Sequence, residues 1–324
     1  MTSPCYAEAP LNYLRSSGGQ ADVILPLTWG MMAISIAVVV IITVLLILGV
    51  WRARHFSSLD VERHELAGAG GGLAWLYLGV SLSTVVLFGT AVWAMVTLAD
   101  TGPPPGKPAF TIEVTGHQWW WEIRYLSDQP SHIFETANEI HIPVGKPVKV
   151  ELVSADVIHS FWVPALAGKM DLIPGQTNET WLEADKPGIY RGQCSEYCGV
   201  QHAHMALTVV ASEPDQFQSW LNSQLTDEPQ PTQQAAVAGE TDFIQKCGVC
   251  HTVRGTPAHG IVGPNLSHLM QRHTIAAGTL ANNTGDLAGW ISNPQAIKPG
   301  SQMPQPEISP AQLQHILAFL QTLK

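Results

Sequence analysis

Two long stretches of the chain show no polar periodicity. Pro26 to Val50 contains LTWGMMAISIAVVVIITVLLILGV, with no charge until Arg52. About 22 apolar residues in a row are enough to cross a hydrocarbon core of roughly 30 Å. Leu73 to Leu98 is a second uncharged apolar run of similar length. A core helix of this length normally keeps a polar face, and neither run has one. The pattern predicts two transmembrane helices, about 28–50 and 73–98, within a membrane unit spanning 27–100. Arg52, Arg54 and Arg63 fall in the short loop between the runs, whereas the segment before the first run has only Arg15. The positive-inside rule puts that loop in the cytoplasm and both termini, with the N-terminal segment 1–26, on the extracytoplasmic side. The first run is too long and too far from the start to read as a cleaved signal.

After the stiff exit GPPPGKP at Gly102–Pro108, the period changes. Short alternating runs follow: FTIEVT, WWWEIRY, NEIHIPV, PVKVELVS, ETWLEA, GIYRGQC and MALTVVA. They are rich in Val, Ile, Thr and Trp and are separated by Gly, Pro, Asn or Asp. This predicts an antiparallel β sandwich or barrel over 105–222. DEPQPTQQAAVAG at Asp227–Gly239 has no periodicity and reads as part of a flexible linker, 223–239. The remainder, 240–324, shows helical patterning in TDFIQK and PAQLQHILAFLQTL and forms a separate compact unit. The expected fold class is a multidomain membrane protein: a two-helix hairpin, a β sandwich, then an all-α domain.

Composition narrows the function. The net charge of -10 argues against nucleic acid, whose phosphates would repel the chain, and suits a basic protein partner. Five cysteines are present. Four sit in two tight pairs, Cys194/Cys198 and Cys247/Cys250, and Cys5 stands alone with no apolar stretch before it. A disulfide framework would spread its cysteines across the fold, so the pairs read as ligand or attachment chemistry.

In RGQCSEYCGVQHAHMALTVV, Cys194 and Cys198 offer soft thiolates, His202 an imidazole and Met205 a weak thioether. Such donors suit copper or zinc. Zinc would be satisfied by two cysteines and two histidines and gains little from a methionine. A single blue copper would leave one thiolate over. Two coppers bridged by both thiolates use every donor, provided one more histidine arrives from elsewhere. His159, in SADVIHSFWVP, is that candidate. The second pair, CGVCH at Cys247–His251, is a c-type haem attachment motif: two thiols for the vinyl groups and an adjacent imidazole for the iron. Pro264 in GIVGPNL is positioned to fix the His251 ring through its carbonyl. Met303, in the Pro/Gly loop KPGSQMPQP, is the expected second axial ligand; Met270 is the rival. Methionine–histidine ligation suits electron transfer rather than oxygen binding.

HSFWVPALAGKMDLIPGQTN and CSEYCGVQHAHM, together with GHQWWWEIRY and two preceding membrane helices, resemble subunit II of haem–copper cytochrome c oxidase. The resemblance covers about Leu27 to Gln218. It implies a cupredoxin fold and a dinuclear CuA centre with Cys194 and Cys198 bridging. His159 and His202 are then the terminal imidazoles, Met205 a weak ligand to one copper and Glu196 a backbone-carbonyl ligand to the other. The resemblance further implies that the Glu196 side chain reaches a magnesium at the interface with subunit I, and that electrons enter at Trp119. Residues 240–324 resemble a class I cytochrome c, in which Trp290 contacts a haem propionate. The fusion is similar to the cytochrome-c-containing subunit II of caa3-type oxidases.

The implied role is electron input. An external donor such as a c-type cytochrome would reduce haem c, then CuA, then a catalytic subunit I that reduces oxygen to water with proton translocation; subunit III is a further expected partner. The implied location is the bacterial inner membrane, with both soluble domains periplasmic. Two departures from the family pattern stand out. Gln176 occupies the place where many relatives carry an arginine, and Glu65 is followed by LAGAGGG rather than an aromatic. Rival readings are the same module serving a nitric oxide reductase-type complex, and a membrane-anchored copper chaperone. Asp156 is a further carboxylate that could dock a basic donor.

Overall fold

A computed structural model describes residues 11–54 and 71–324, apart from 103 and 105. Cys5, Arg63 and Glu65 lie outside the described residues. The chain separates into two units, 23–102 and the remainder. The first is formed by helices α1 (Gly19–Arg54), whose first turn belongs to the second unit, and α2 (Gly71–Asp100). Their most apolar windows have mean hydropathies of 3.1 and 1.9. Val39, Leu46, Leu87 and Phe88 all point outward, each more than 60% exposed, as lipid-facing side chains would. The hydroxyls within these spans bond back to the preceding turn, as Thr43 Oγ1 does to the Val39 carbonyl at 2.7 Å.

Helix α1 begins earlier than the apolar run does. Asp22 in its first turn complements the helix dipole. Gln20 and Ala21 are buried, Ala21 N donates to Leu166 O, and Gln20 Oε1 accepts from Gly168 N at 2.9 Å. Tertiary contact, not hydropathy, sets that end of the helix.

The sandwich comprises β1 (Thr111–His117), β2 (Trp120–Leu126), β3 (Phe134–Ala137), β4 (Glu139–Pro143), β5 (Val148–Ser154), β6 (His159–Phe161), β7 (Met170–Leu172), β8 (Asn178–Leu182), β9 (Gly188–Gln193) and β10 (Ala206–Ser212). One sheet runs β3-β2-β1-β5-β8 and the other β4-β10-β9, with β6 and β7 as a separate ribbon. Alternate residues of β1, β2 and β5 are buried, as period-2 patterning demands. The core between the sheets is led by Trp121, Phe161, Ile112, Ile123 and Leu152, each of which contributes roughly 1.5–3 kcal/mol by leaving water. The sandwich is not wholly antiparallel, because β1–β5 and β4–β10 pair in parallel. Alternation along a strand reveals which face is buried but not the direction of its neighbour.

Helix α3 (Pro214–Gln224) lays Phe217 and Trp220 against Phe110, Tyr125 and Phe134. The last domain holds α4 (Gln234–Lys246), β11 (Thr274–Ile275), β12 (Leu280–Ala281), α5 (Thr284–Ser292), α6 (Pro294–Ile297) and α7 (Pro310–Leu320). Apart from an isolated bridge between Thr252 and His259, the two-residue β11–β12 pair is its only strand pairing among the described residues. Helix α4 starts inside the stretch expected to be linker. Ala235, Ala236 and Ala238 favour helix, and the bare backbone of Gly239 lets α7 approach so closely that a Cβ there would overlap the His315 carbonyl. The remaining connection is pinned, since buried Glu228 accepts from His268 N and lies 3.1 Å from His268 Nδ1.

The cytochrome-like domain is hydrogen-bonded onto the sandwich. Ala206 N donates to Ala277 O at 3.0 Å, Gln201 Nε2 to Pro299 O at 2.7 Å, and His273 N to Glu139 Oε2 at 2.9 Å.

Candidate copper and haem centres

The loop after β9 and the start of β6 bring all six of the expected copper donors together. Cys194 Sγ and Cys198 Sγ are 3.8 Å apart. His159 Nδ1 lies 4.0 Å from Cys194 Sγ, and His202 Nδ1 lies 3.7 Å from Cys198 Sγ. Met205 Sδ is 3.8 Å from Cys198 Sγ, and the Glu196 carbonyl oxygen is 3.3 Å from Cys194 Sγ. Both thiols are free and buried. The pair behaves as a unit: the hydrogen bond between the two sulfurs lowers the pKa of Cys194 and raises that of Cys198. Two sulfurs, two imidazoles, a thioether and a carbonyl oxygen around one buried space form a soft donor set that fits copper. His204, next to this set in sequence, is exposed and bonds Gln201 instead.

The expected ligands are held by further contacts around them. Asp156 Oδ1 sits 2.8 Å from His159 Nε2, which turns Nδ1 toward the thiols. Burial lowers the His159 pKa, but hydrogen bonds with Cys194 and Asp156 outweigh it and the net shift is upward. The same carboxylate accepts from Gln118 N at 2.7 Å and from Val157 N at 2.6 Å. Asp156 therefore ties the β1–β2 turn, its own loop and His159 together. Gly199 has φ +117°, and a Cβ there would lie 2.9 Å from Trp119 Cζ2, so only glycine lets the loop and the indole approach. Trp119 is 8% exposed and donates through Nε1 to the Cys198 carbonyl at 3.0 Å. The three adjacent tryptophans do three different jobs: Trp120 stacks on His117 at 4.4 Å, and Trp121 packs edge-on against His159 and Phe161.

Between the sandwich and the last domain lies a mostly apolar cavity of about 250 Å³. Cys247, Cys250, His251 and Met303 all line it, whereas Met270 packs into the neighbouring hydrophobic cluster. His251 Nδ1 lies 2.7 Å from the Pro264 carbonyl, which fixes the ring, and burial lowers its pKa so that the neutral imidazole a metal needs is favoured. A Cβ on Gly263 would come within 2.7 Å of that ring. Two thiols, an imidazole and a thioether around one apolar space fit a covalently attached haem. Trp119 and Trp120 from the sandwich line the same cavity, as do Trp290, Arg272 and Lys298. Lys298 and Arg272 carried no signal in the sequence, since a single cation in a loop looks like solvent-exposed surface.

Fold and donor set together define a class: a membrane-anchored cupredoxin joined to a c-type cytochrome. Residues 123–212 match the family described as cytochrome c oxidase subunit II, periplasmic domain, and residues 236–324 match cytochrome c. The chain is 34% identical to cytochrome c oxidase subunit 2 of Alkalihalophilus pseudofirmus, over 99% of this chain and 93% of that one. It is 33% identical to the subunit 2 of Bacillus sp. strain PS3, over 67% of this chain and 63% of the relative. Among solved structures, the periplasmic domain of subunit II of the Bradyrhizobium japonicum oxidase is 38% identical, covering 37% of this chain and 95% of that chain with a TM-score of 0.34. The chain belongs to the cytochrome c oxidase subunit II family, in the form that carries a C-terminal cytochrome c domain, as caa3-type oxidases do. It is thus an inner-membrane component of an oxidoreductase complex, partnered by subunit I, with CuA and haem c as its cofactors.

Proposed function

We propose that this chain is the electron-input subunit of a terminal oxidase, taking electrons from an external c-type cytochrome through haem c and CuA to subunit I, where oxygen reduction is coupled to proton translocation. His159, Cys194, Glu196 (through its carbonyl), Cys198, His202 and Met205 hold the copper pair. Cys247 and Cys250 would attach the haem, and His251 and Met303 would hold its iron. When bound, these groups supply reversible one-electron chemistry that side chains lack. The protein holds the donors rigidly, excludes water from both sites and places an aromatic ring between them. The domain divisions are 1–26, 27–100, 105–222, 223–239 and 240–324. Both termini and both soluble domains face the periplasm, subunit III completes the assembly, and the half-exposed Glu196 side chain contacts a magnesium shared with subunit I.

The observation that carries this reading is Trp119. It borders the cavity that holds His251 and Met303, and its indole bonds the carbonyl of Cys198. That arrangement supports haem-to-copper transfer within one chain and gives Trp119 the role of electron-input residue. To test it, the purified complex is supplied with a reduced c-type cytochrome and oxygen uptake is followed. Cys198→Ser is expected to abolish uptake while leaving haem c attached and reducible. Undiminished uptake in that variant overturns the proposal.

A further inference from the structure

Lys298 is an unusual residue for its position. It follows α6, five residues before Met303, and only 3% of it is exposed. Its Nζ donates to the carbonyl of Trp119, across the domain boundary, at 2.7 Å, and to the carbonyl of Ala276, in its own domain, at 3.3 Å. No carboxylate pairs with it among the described residues. Burial pulls its pKa down to about 7, which reflects what an ammonium loses on leaving water. A cation in such a place costs stability unless its hydrogen bonds accomplish something an apolar side chain would not.

The partner it selects is informative. Trp119 is held on the copper side by two contacts of its neighbourhood: the indole Nε1 to Cys198 O at 3.0 Å, and Gln118 Nε2 to the same carbonyl at 2.7 Å. Asp156 restrains the preceding amide at 2.7 Å. On the haem side the hydrogen bond to its carbonyl comes from Lys298. Ala276 and Ala277, in the turn that Lys298 also grips, have positive φ values of 52° and 56°, and Ala277 O accepts from Ala206 N of the sandwich at 3.0 Å. Lys298 therefore ties together the Met303 loop, this turn and the peptide of Trp119.

We infer that Lys298 is a positioning residue for electron transfer between the two centres: its buried amino group, donating to the Trp119 carbonyl, fixes the indole between the haem cavity and the Cys198 loop. This rests on the proposed route through haem c and CuA, and it assigns to the cytochrome domain a direct part in shaping the copper site's input residue.

The test uses the full-length chain in the assembled, haem- and copper-loaded complex. Haem c is reduced by a flash-activated ruthenium photoreductant, and its reoxidation by copper is timed. Lys298→Met keeps an unbranched side chain only one atom shorter and removes the charge and the donors. It is expected to slow transfer at least tenfold, with the haem and copper spectra unchanged. Hydrogen exchange of residues 117–121 is expected to quicken while that of 272–275 stays as in the parent. Gln271→Ala, which removes a different interdomain hydrogen bond (Gln224 Nε2 to Gln271 Oε1, 3.0 Å), is expected to leave the rate within twofold. Lys298→Gln keeps a donor and serves if the methionine variant fails to assemble; it too is expected to slow transfer, by a smaller factor. An unchanged rate, unchanged exchange at 117–121, or equal slowing by Gln271→Ala overturns the inference. No haem-to-copper transfer in the parent protein would instead overturn the route itself.

Discussion

Glu139 offers a test of how the cytochrome domain is fastened to the sandwich. It lies at the start of β4, 3% exposed, and its carboxylate accepts from His141 Nε2 at 2.9 Å, from His273 N at 2.9 Å and from His273 Nδ1 at 3.1 Å. Burial alone would raise its pKa, but hydrogen bonds with His141 and His273 prevail and lower it from 4.5 to about 2. At about 1.4 kcal/mol per pH unit, that difference corresponds to roughly 3 kcal/mol of preference for the charged, bonded form. His141 belongs to the same domain and His273 to the other, so on the order of half is available to hold the domains together. Glu139 is depressed, so its contribution is present above its unfolded value near 4.5 and is lost as pH falls through about 2. His273 is raised, chiefly by its hydrogen bond to Glu139, so its contribution is full below its unfolded value near 6.5 and is lost as pH rises through the folded one. The fastening is strongest between about pH 4.5 and 6.5 and weakens on either side. Glu139→Gln removes the charge at nearly constant volume. Hydrogen exchange of residues 272–275, followed from pH 5 to 8 with correction for intrinsic rates, is the assay. The parent should become less protected as pH rises, and the variant should start about tenfold less protected and lose that pH dependence. Equal protection and equal pH dependence in the two proteins would refute the reasoning.

Other consequences follow from the two centres. Asp156→Asn weakens the orientation of His159 and should lower copper affinity about 10- to 100-fold in chelator competition, with the haem spectrum unaltered. Gly199→Ala puts a Cβ 2.9 Å from the Trp119 ring at a φ of +117°, a strain of about 1–3 kcal/mol. It should depress the melting transition of the copper-loaded sandwich by several degrees and perturb its copper spectrum; a parent-like melt would contradict the packing. Met303→Ala should remove the sulfur ligand signature of the haem while the covalent attachment persists, and Met270→Leu should leave that signature intact.

The chemistry of this chain is written locally, which is why much of it could be read from the sequence. Cys194, Cys198, His202 and Met205 lie within one loop, and Cys247, Cys250 and His251 within the turn that follows α4. Their spacing alone brings the donors close. His159 lies 35 residues before Cys194 and was singled out because the donor set needed one more histidine, not through periodicity. The membrane helices were legible because lipid demands uninterrupted apolar runs, but the start of α1 was not, because Gln20 and Ala21 are held by the sandwich. The parallel pairings of β1 with β5 and β4 with β10 depend on crossovers that alternation does not encode. Asp156 was visible three residues before His159, yet its role as that histidine's partner required the folded loop. Glu139, His273 and Lys298 were silent for the same reason: each acts across the boundary between two domains, where sequence spacing carries no information.

The most direct measurement is the electron paramagnetic resonance spectrum of the copper-loaded complex. Two thiolate-bridged coppers sharing one unpaired electron give more, and more closely spaced, hyperfine lines than a single copper. That pattern is expected in the parent and is expected to vanish in Cys198→Ser. A four-line, single-copper spectrum in the parent, or bound zinc alone, would contradict the account.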